Sequence, residues 1–155
     1  MSLNSCKCTA ILRKKQELKR GTYMKKIDVV GAVIFNDNNE ILCALRSKSM
    51  SLPGLWEFPG GKIETGETPQ QSLIREIQEE LDCTIEVSEL IADITHEYPT
   101  VIVRLMTYRS TIVQGTPVPN EHEKLIWLPL TNIDSIEWAP ADLPTIHELK
   151  KYISE

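Results

Sequence analysis

Aromatic residues make up only 6% of this 155-residue chain, cysteine occurs four times, and no long hydrophobic run is present. The longest apolar stretch, over residues 27–35, is broken by Asp28 and Gly31. It falls far short of the roughly 20 residues that a membrane-spanning helix needs, which excludes a transmembrane protein and leaves no membrane partner to expect. Cys6, Cys8, Cys43 and Cys83 are too few and too scattered for a disulfide framework, and the last two lie in apolar runs where a thiol packs as a small hydrophobe. A reducing, cytoplasmic setting is the expectation. Cys6-Lys7-Cys8 has no CxxC or His partner at ligand spacing. The composition that remains, 41% hydrophobic and 25% charged, is that of one soluble globular domain.

The net charge of −5 conceals an asymmetry. Residues 1–23 carry Lys7, Arg13, Lys14, Lys15, Lys19 and Arg20 against one acid, Glu17, whereas from Met24 onward twenty-one acidic residues face eleven basic ones. A body of that charge is a poor ligand for a nucleic-acid polymer, whose phosphates are met by clustered Lys and Arg. Any phosphate ligand would need a metal cation. Met24-Lys25-Lys26 stands directly before the first strand-like run, which puts a basic extension at 1–23 and the domain at 24–155. The extension lacks the apolar core of a secretory signal. A helix over residues 10–19, packed on its own or a neighbouring molecule, would make the protein a monomer or a homodimer.

Residues 27–35 and 40–45 read as β-strands joined through Asn36-Asp37-Asn38-Asn39, which predicts a hairpin. Residues 46–61, rich in Ser, Pro and Gly, read as a loop feeding a short strand and a turn. The helix that follows has the clearest signals. Thr68 can cap it, Pro69 suits its first position, and Gln71 completes a capping box. Leu73, Ile74, Ile77 and Leu81 then fall within an arc of about 100°, with Glu76, Glu79 and Glu80 on a separate arc roughly 120° away. That spacing predicts one packing face and one acidic face. Residues 84–96, 100–113 and 124–129 read as strands, and 144–153 as a closing amphipathic helix.

Three glutamates at i, i+3 and i+4 repel one another. Either the face is simply solvated or something offsets it, and a hard divalent cation, Mg²⁺ above all, takes a few carboxylates together with water and substrate phosphates. The wider pattern decides between these. Gly61-x5-Glu67-x7-Arg75-Glu76-Ile77-x-Glu79-Glu80 resembles the GX5EX7REUXEEXGU box of the Nudix hydrolase family, with every charged position filled. Asp82 stands at the final glycine and Cys83 at the final aliphatic position. Asp tolerates the left-handed conformation that glycine adopts at such a helix end, so an unchanged site is expected.

The resemblance extends over about residues 24–150. Met24-Lys25-Lys26-Ile27, Asn38-Asn39-Glu40-Ile41 and Glu57-Phe58-Pro59-Gly60-Gly61-Lys62-Ile63-Glu64 are similar to the MutT branch, and Ala139-Pro140-Ala141-Asp142-Leu143-Pro144 to the CTP pyrophosphohydrolase branch. It implies an α/β fold, the Nudix α/β/α sandwich with a mixed β-sheet. It further implies hydrolysis of a nucleoside triphosphate to a monophosphate and pyrophosphate, clearing 8-oxo-dGTP-like or (d)CTP-like nucleotides from the pool. Hydrolysis of diphosphate-linked substrates such as ADP-ribose or nucleotide sugars is the alternative within the class, and a nucleotide-sensing module without catalysis the alternative outside it.

By the same resemblance Glu76, Glu79, Glu80, Glu121 and the carbonyl of Gly60 hold Mg²⁺ or Mn²⁺. Arg75 orients a glutamate of the box through a charge-assisted hydrogen bond or serves as an ordinary helix ion pair. Glu121 either ligates a metal, accepts the water's proton or is an exposed loop residue. Lys62 is placed to meet a phosphate, while Glu64 and Glu67 serve the loop. Arg46, Glu57, Phe58 and Asp142 surround the nucleotide. Relatives of the MutT branch carry asparagine where Asp142 stands, histidine at Ser51 and arginine at Val101. An ionised Asp142 would match the paired N–H donors of a guanine edge and a protonated one the N3 and amino group of cytosine, unless it merely caps the last helix.

Overall fold

The computed structural model describes residues 24–153. The basic extension, the helix expected over 10–19 and the Cys6-Lys7-Cys8 pair lie outside the described residues. In chain order the elements are β1 (Lys25–Ile34), β2 (Glu40–Leu45), β3 (Trp56–Glu57), β4 (Gly60–Lys62), α1 (Pro69–Leu81), β5 (Thr84–Glu97), β6 (Val101–Gln114), β7 (Lys124–Pro129) and α2 (Leu143–Ile153). Short 3₁₀ turns cover Leu130–Ser135 and Pro140–Asp142.

The near-continuous apolar run of β1 reflects a strand covered on both faces, where every position is buried and alternation gives no advantage. Val30, Ala32 and Ile34 pack with Leu73, Ile77 and Leu81 of α1. Val33 and Phe35 point the other way, into a cluster with Phe58, Trp138, Ile146 and Leu149 beneath α2. β1 is central in a sheet of order β4-β1-β6-β5, parallel to β6 and antiparallel to β4, with β5 antiparallel to β6. This is the expected α/β/α sandwich around a mixed sheet, to which β3, β2 and β7 add a smaller antiparallel sheet.

Two expectations are corrected. The turn at 36–39 forms, with Asn36 Oδ1 accepting from the N–H groups of Asn38 (3.0 Å) and Glu40 (2.9 Å), but β1 and β2 are not a paired hairpin. They are bridged at Phe35 and Ile41 and otherwise belong to different sheets, because β1 is already flanked by β4 and β6. The second concerns α1, whose reciprocal cap forms as expected: Thr68 Oγ1 accepts from Gln71 N–H, and Gln71 Oε1 from Thr68 N–H. Its buried residues are Ser72, Leu73, Glu76, Ile77, Glu80 and Leu81, whereas Ile74 is 37% exposed. The acids at 76 and 80 therefore do not lie on a solvent face. They share the buried face with Leu73 and Ile77.

α1 ends as the sequence implies, with Asp82 left-handed at φ 56°, ψ 37° and its N–H donating to Gln78 O. No helix among the described residues is long and apolar enough to cross a membrane. Because an L side chain is strained at this φ and glycine is not, Asp82→Gly is expected to stabilise the protein by about 0.5 kcal/mol and Asp82→Val to destabilise it by about 1–2 kcal/mol. Urea unfolding midpoints of the two variants would check both signs.

Candidate functional site

Strand β4 runs beside β1 with Gly61 opposite Val30 and Gly60 opposite Gly31. The absent side chain of Gly61 is space that Glu76 uses, since a Cβ there would lie 2.6–2.8 Å from the Glu76 carboxylate atoms. A Cβ on Gly60 would strike the Val30 carbonyl. The glycine pair thus brings backbone against a buried carboxylate.

Glu76 is fully buried, and its Oε1 accepts from Arg75 Nη1 at 2.9 Å. Its Oε2 is buried with no hydrogen-bond partner. Arg75 also grips both oxygens of Glu67, through Nε (2.7 Å) and Nη2 (2.9 Å), and reaches Lys62 O at 3.3 Å. Glu67 in turn accepts from Glu64 N–H, so one guanidinium joins α1 to the loop before it and aims Glu76. The same bonds hold the Glu67 carboxyl below its ordinary range. Glu79 is on the exposed side, 3.5 Å from Arg75 Nη1.

Glu80 is fully buried, and burial pushes its carboxyl well above the usual carboxylate range, with the charges of Glu76, Glu57 and Glu121 adding to the effect. Burial also raises Glu76, outweighing the Arg75 bond. Glu121, half-buried between β6 and β7, has a buried Oε2 with no hydrogen-bond partner. Glu57, Glu76 and Glu121 are thus all within electrostatic reach of Glu80 although the four come from three separate segments. Among the described residues no three His, Cys, Asp or Glu side chains are gathered tightly enough to hold an ion as they stand. The donor set nevertheless fits a hard cation: two buried carboxylate oxygens have no partner, and the surrounding acids have more charge than Arg75 and Arg46 offset.

The other sequence-nominated residues are placed differently. Arg46 is fully buried and bonds to Glu57 Oε1 through Nη1 (2.7 Å), to Ser51 O through Nε (2.6 Å) and to Ser51 Oγ through Nη2 (3.1 Å). Phe58 is fully buried against Trp138, ring centroids 4.7 Å apart. Lys62 is half-exposed on β4 and its carbonyl accepts from Ser72 Oγ as well as Arg75. Asp142 is fully buried where the 3₁₀ turn passes into α2. Its neighbours Pro140 and Ala141 line a cavity of about 90 Å³ with Val103 and Leu105. Val101 is fully buried, packed with Ile27, Val29 and Leu105.

Sequence reasoning passed over two residues flanking Glu121. His122 is buried, and its Nε2 lies 2.9 Å from Glu57 Oε2. Asn120 donates its N–H to Glu80 O (3.1 Å) and its Nδ2 to Glu79 O (3.3 Å). Neither had a periodicity or capping signal, and adjacency to Glu121 was the sole clue.

A NUDIX domain family model matches residues 25–149. The chain is 34% identical to the 8-oxo-dGTP diphosphatase of Escherichia coli over 83% of its own length and 99% of that protein's. It is 37% identical to the CTP pyrophosphohydrolase of the same organism, over 79% and 90%. Among solved structures, a MutT protein of the Nudix hydrolase family from methicillin-resistant Staphylococcus aureus is 47% identical, covering 84% of this chain and 99% of that one with a TM-score of 0.69.

Two outcomes follow from the geometry. Gly61→Ala is expected to displace the Glu76 carboxylate and cut turnover by about tenfold or more with the fold retained, as comparison of activity with far-UV circular dichroism would reveal. The second concerns pH. Unfolded, Glu80 ionises near its ordinary value of 4.5, while folded it keeps its proton to a much higher pH. The native state therefore binds the extra proton between those limits, and the metal-free protein loses stability as pH rises through that window. Glu80→Gln removes the loss: at pH 8 with chelator its Tm is expected to exceed the native value by roughly 3 °C, corresponding to about 1 kcal/mol. A Tm at or below the native one would contradict the buried repulsion.

Proposed function

From the premise that the chain belongs to the NUDIX domain family, we propose that it is a nucleoside triphosphate pyrophosphohydrolase, converting a triphosphate and water to a monophosphate and pyrophosphate, with Mg²⁺ or Mn²⁺ as its cofactor. The observation that carries this reading is the set of buried Glu57, Glu76 and Glu80 with half-buried Glu121, with buried oxygens lacking a hydrogen-bond partner on Glu76 and Glu121, beside a glycine turn that a side chain at Gly61 would close against Glu76. Glu76, Glu79, Glu80, Glu121 and the Gly60 carbonyl would hold the cation. A divalent ion bound there supplies charge neutralisation for the phosphates and Lewis-acid activation of water.

The chain's own residues do the rest. Arg75 keeps Glu76 aimed at the site and places its other donors on Glu67 and the Lys62 carbonyl, so it acts through the box rather than on the substrate. Glu121 is the acid from outside α1 and serves as cation ligand or proton acceptor. Lys62, next to the glycine pair, meets a phosphate.

Base recognition centres on Asp142. The buried Arg46 and Phe58 shape the nucleotide pocket from behind, through the Ser51 loop and Trp138. Val101, sealed in the core, leaves no basic group at its position. The substrates proposed are oxidised or otherwise non-standard (d)GTP-like or (d)CTP-like nucleotides, the classes named for the two E. coli relatives. The protein should be incubated with Mg²⁺ and dCTP, 5-methyl-dCTP, CTP, dGTP and 8-oxo-dGTP, with monophosphate and pyrophosphate quantified. Pyrophosphate release that Glu79→Gln and Glu80→Gln each lower by about 10²-fold or more is the expected result. Undiminished turnover in both variants would sink the mechanism, and preference for cytosine nucleotides would assign Asp142 to the cytosine edge.

A further inference from the structure

Glu121 belongs to a stretch with neither helix nor strand around it, yet the chain on both sides of it is pinned. The last four carbonyls of an α-helix have no donor within the helix. At the end of α1, Asp82 N–H takes Gln78 O, and the segment carrying Glu121 takes the other three: Asn120 Nδ2 reaches Glu79 O, Asn120 N–H reaches Glu80 O, and Val118 N–H reaches Leu81 O at 2.8 Å. Two of those carbonyls belong to acids of the box. On the far side His122 Nε2 meets Glu57 Oε2 at 2.9 Å, and Glu123 N–H donates to Leu45 O at 2.9 Å.

A carboxylate only accepts, so the Nε2–H of His122 donates to Glu57. Glu57 is itself held at its other oxygen by Arg46, which is anchored on Ser51. We propose that Asn120 and His122 are positioning residues that fix Glu121 in the site, Asn120 by clasping the carbonyls of Glu79 and Glu80, and His122 by docking on Glu57. One residue between two anchors has almost no slack, so a loop acid is held in register with the helix acids without regular structure of its own. This rests on the assignment of Glu121 to the catalytic set.

A double-mutant cycle tests the proposal on kcat and KM for the best nucleotide and, without nucleotide, on Mn²⁺ affinity by paramagnetic resonance. Asn120→Ala, at an exposed position, and His122→Leu are expected to lower kcat by about tenfold or more with KM within about twofold, since small misplacements of a reacting group cost that much. His122→Gln, which keeps an N–H donor, is expected to recover most of the loss. In a Glu121→Gln background, Asn120→Ala is expected to lower kcat and Mn²⁺ affinity no further, because the residue it places is already disabled. If Asn120→Ala multiplies the Glu121→Gln defect, or alone changes Tm but not kcat, Asn120 is only a cap on α1 and the inference falls. Full activity in Glu121→Gln would instead remove the assignment beneath it, and the inference with it.

Discussion

Three carboxylates brought around the buried carboxyl of Glu80 repel it, and most of the site is an answer to that repulsion. Arg75 neutralises on one side, Arg46 on the other, and burial pushes the Glu80 carboxyl well above the usual carboxylate range. Taking charges out of water is costly unless partners repay it, and in this pocket the repayment is left incomplete at the buried oxygens of Glu76 and Glu121. Under the proposed function, that deficit is what a bound cation would fill. The same residues that weaken the fold are thus the ones proposed to hold its ligand.

The architecture serves this arrangement at several removes. Because β1 is covered on both faces, α1 and α2 can lie on opposite sides of one sheet, and the glycine turn leaves β1's neighbour strand directly under α1. Glu57, at the edge of the smaller sheet, reaches the same pocket from the other side. Three segments distant in sequence therefore meet at one point, and each is tied to the next by a hydrogen bond in place of packing alone.

Much of this was legible in the sequence, for identifiable reasons. The cap at Thr68, the helix end at Asp82 and the acids of the box all depend on local spacing, which a sequence carries directly. The supposed hairpin between β1 and β2 failed because a turn signal fixes a reversal but not which strands pair afterwards. Helical periodicity separated apolar from acidic residues on α1, but it set Glu76 and Glu80 apart from the packing face, whereas both are buried. Their burial depends on Gly61 and on a loop some forty residues downstream, neither visible in the helix itself. Arg46, Glu57, Phe58 and Asp142, which the resemblance put around the nucleotide, are all fully buried, a depth that a motif does not state.

The strap that closes the end of α1 also orders events in time. Its hydrogen bonds link residues about forty apart, and the Glu57 contact spans sixty-five, so these are among the contacts whose loop closure is costly and late. A chain that has formed α1 and the β5–β6 pair holds Glu76, Glu79 and Glu80 on one helix but has not yet brought Glu57 and Glu121 to them. Contacts made after the barrier govern how fast the native state opens rather than how fast it forms. A cation seated among the finished set of carboxylates would stabilise the completed fold over every species that has not yet assembled that set.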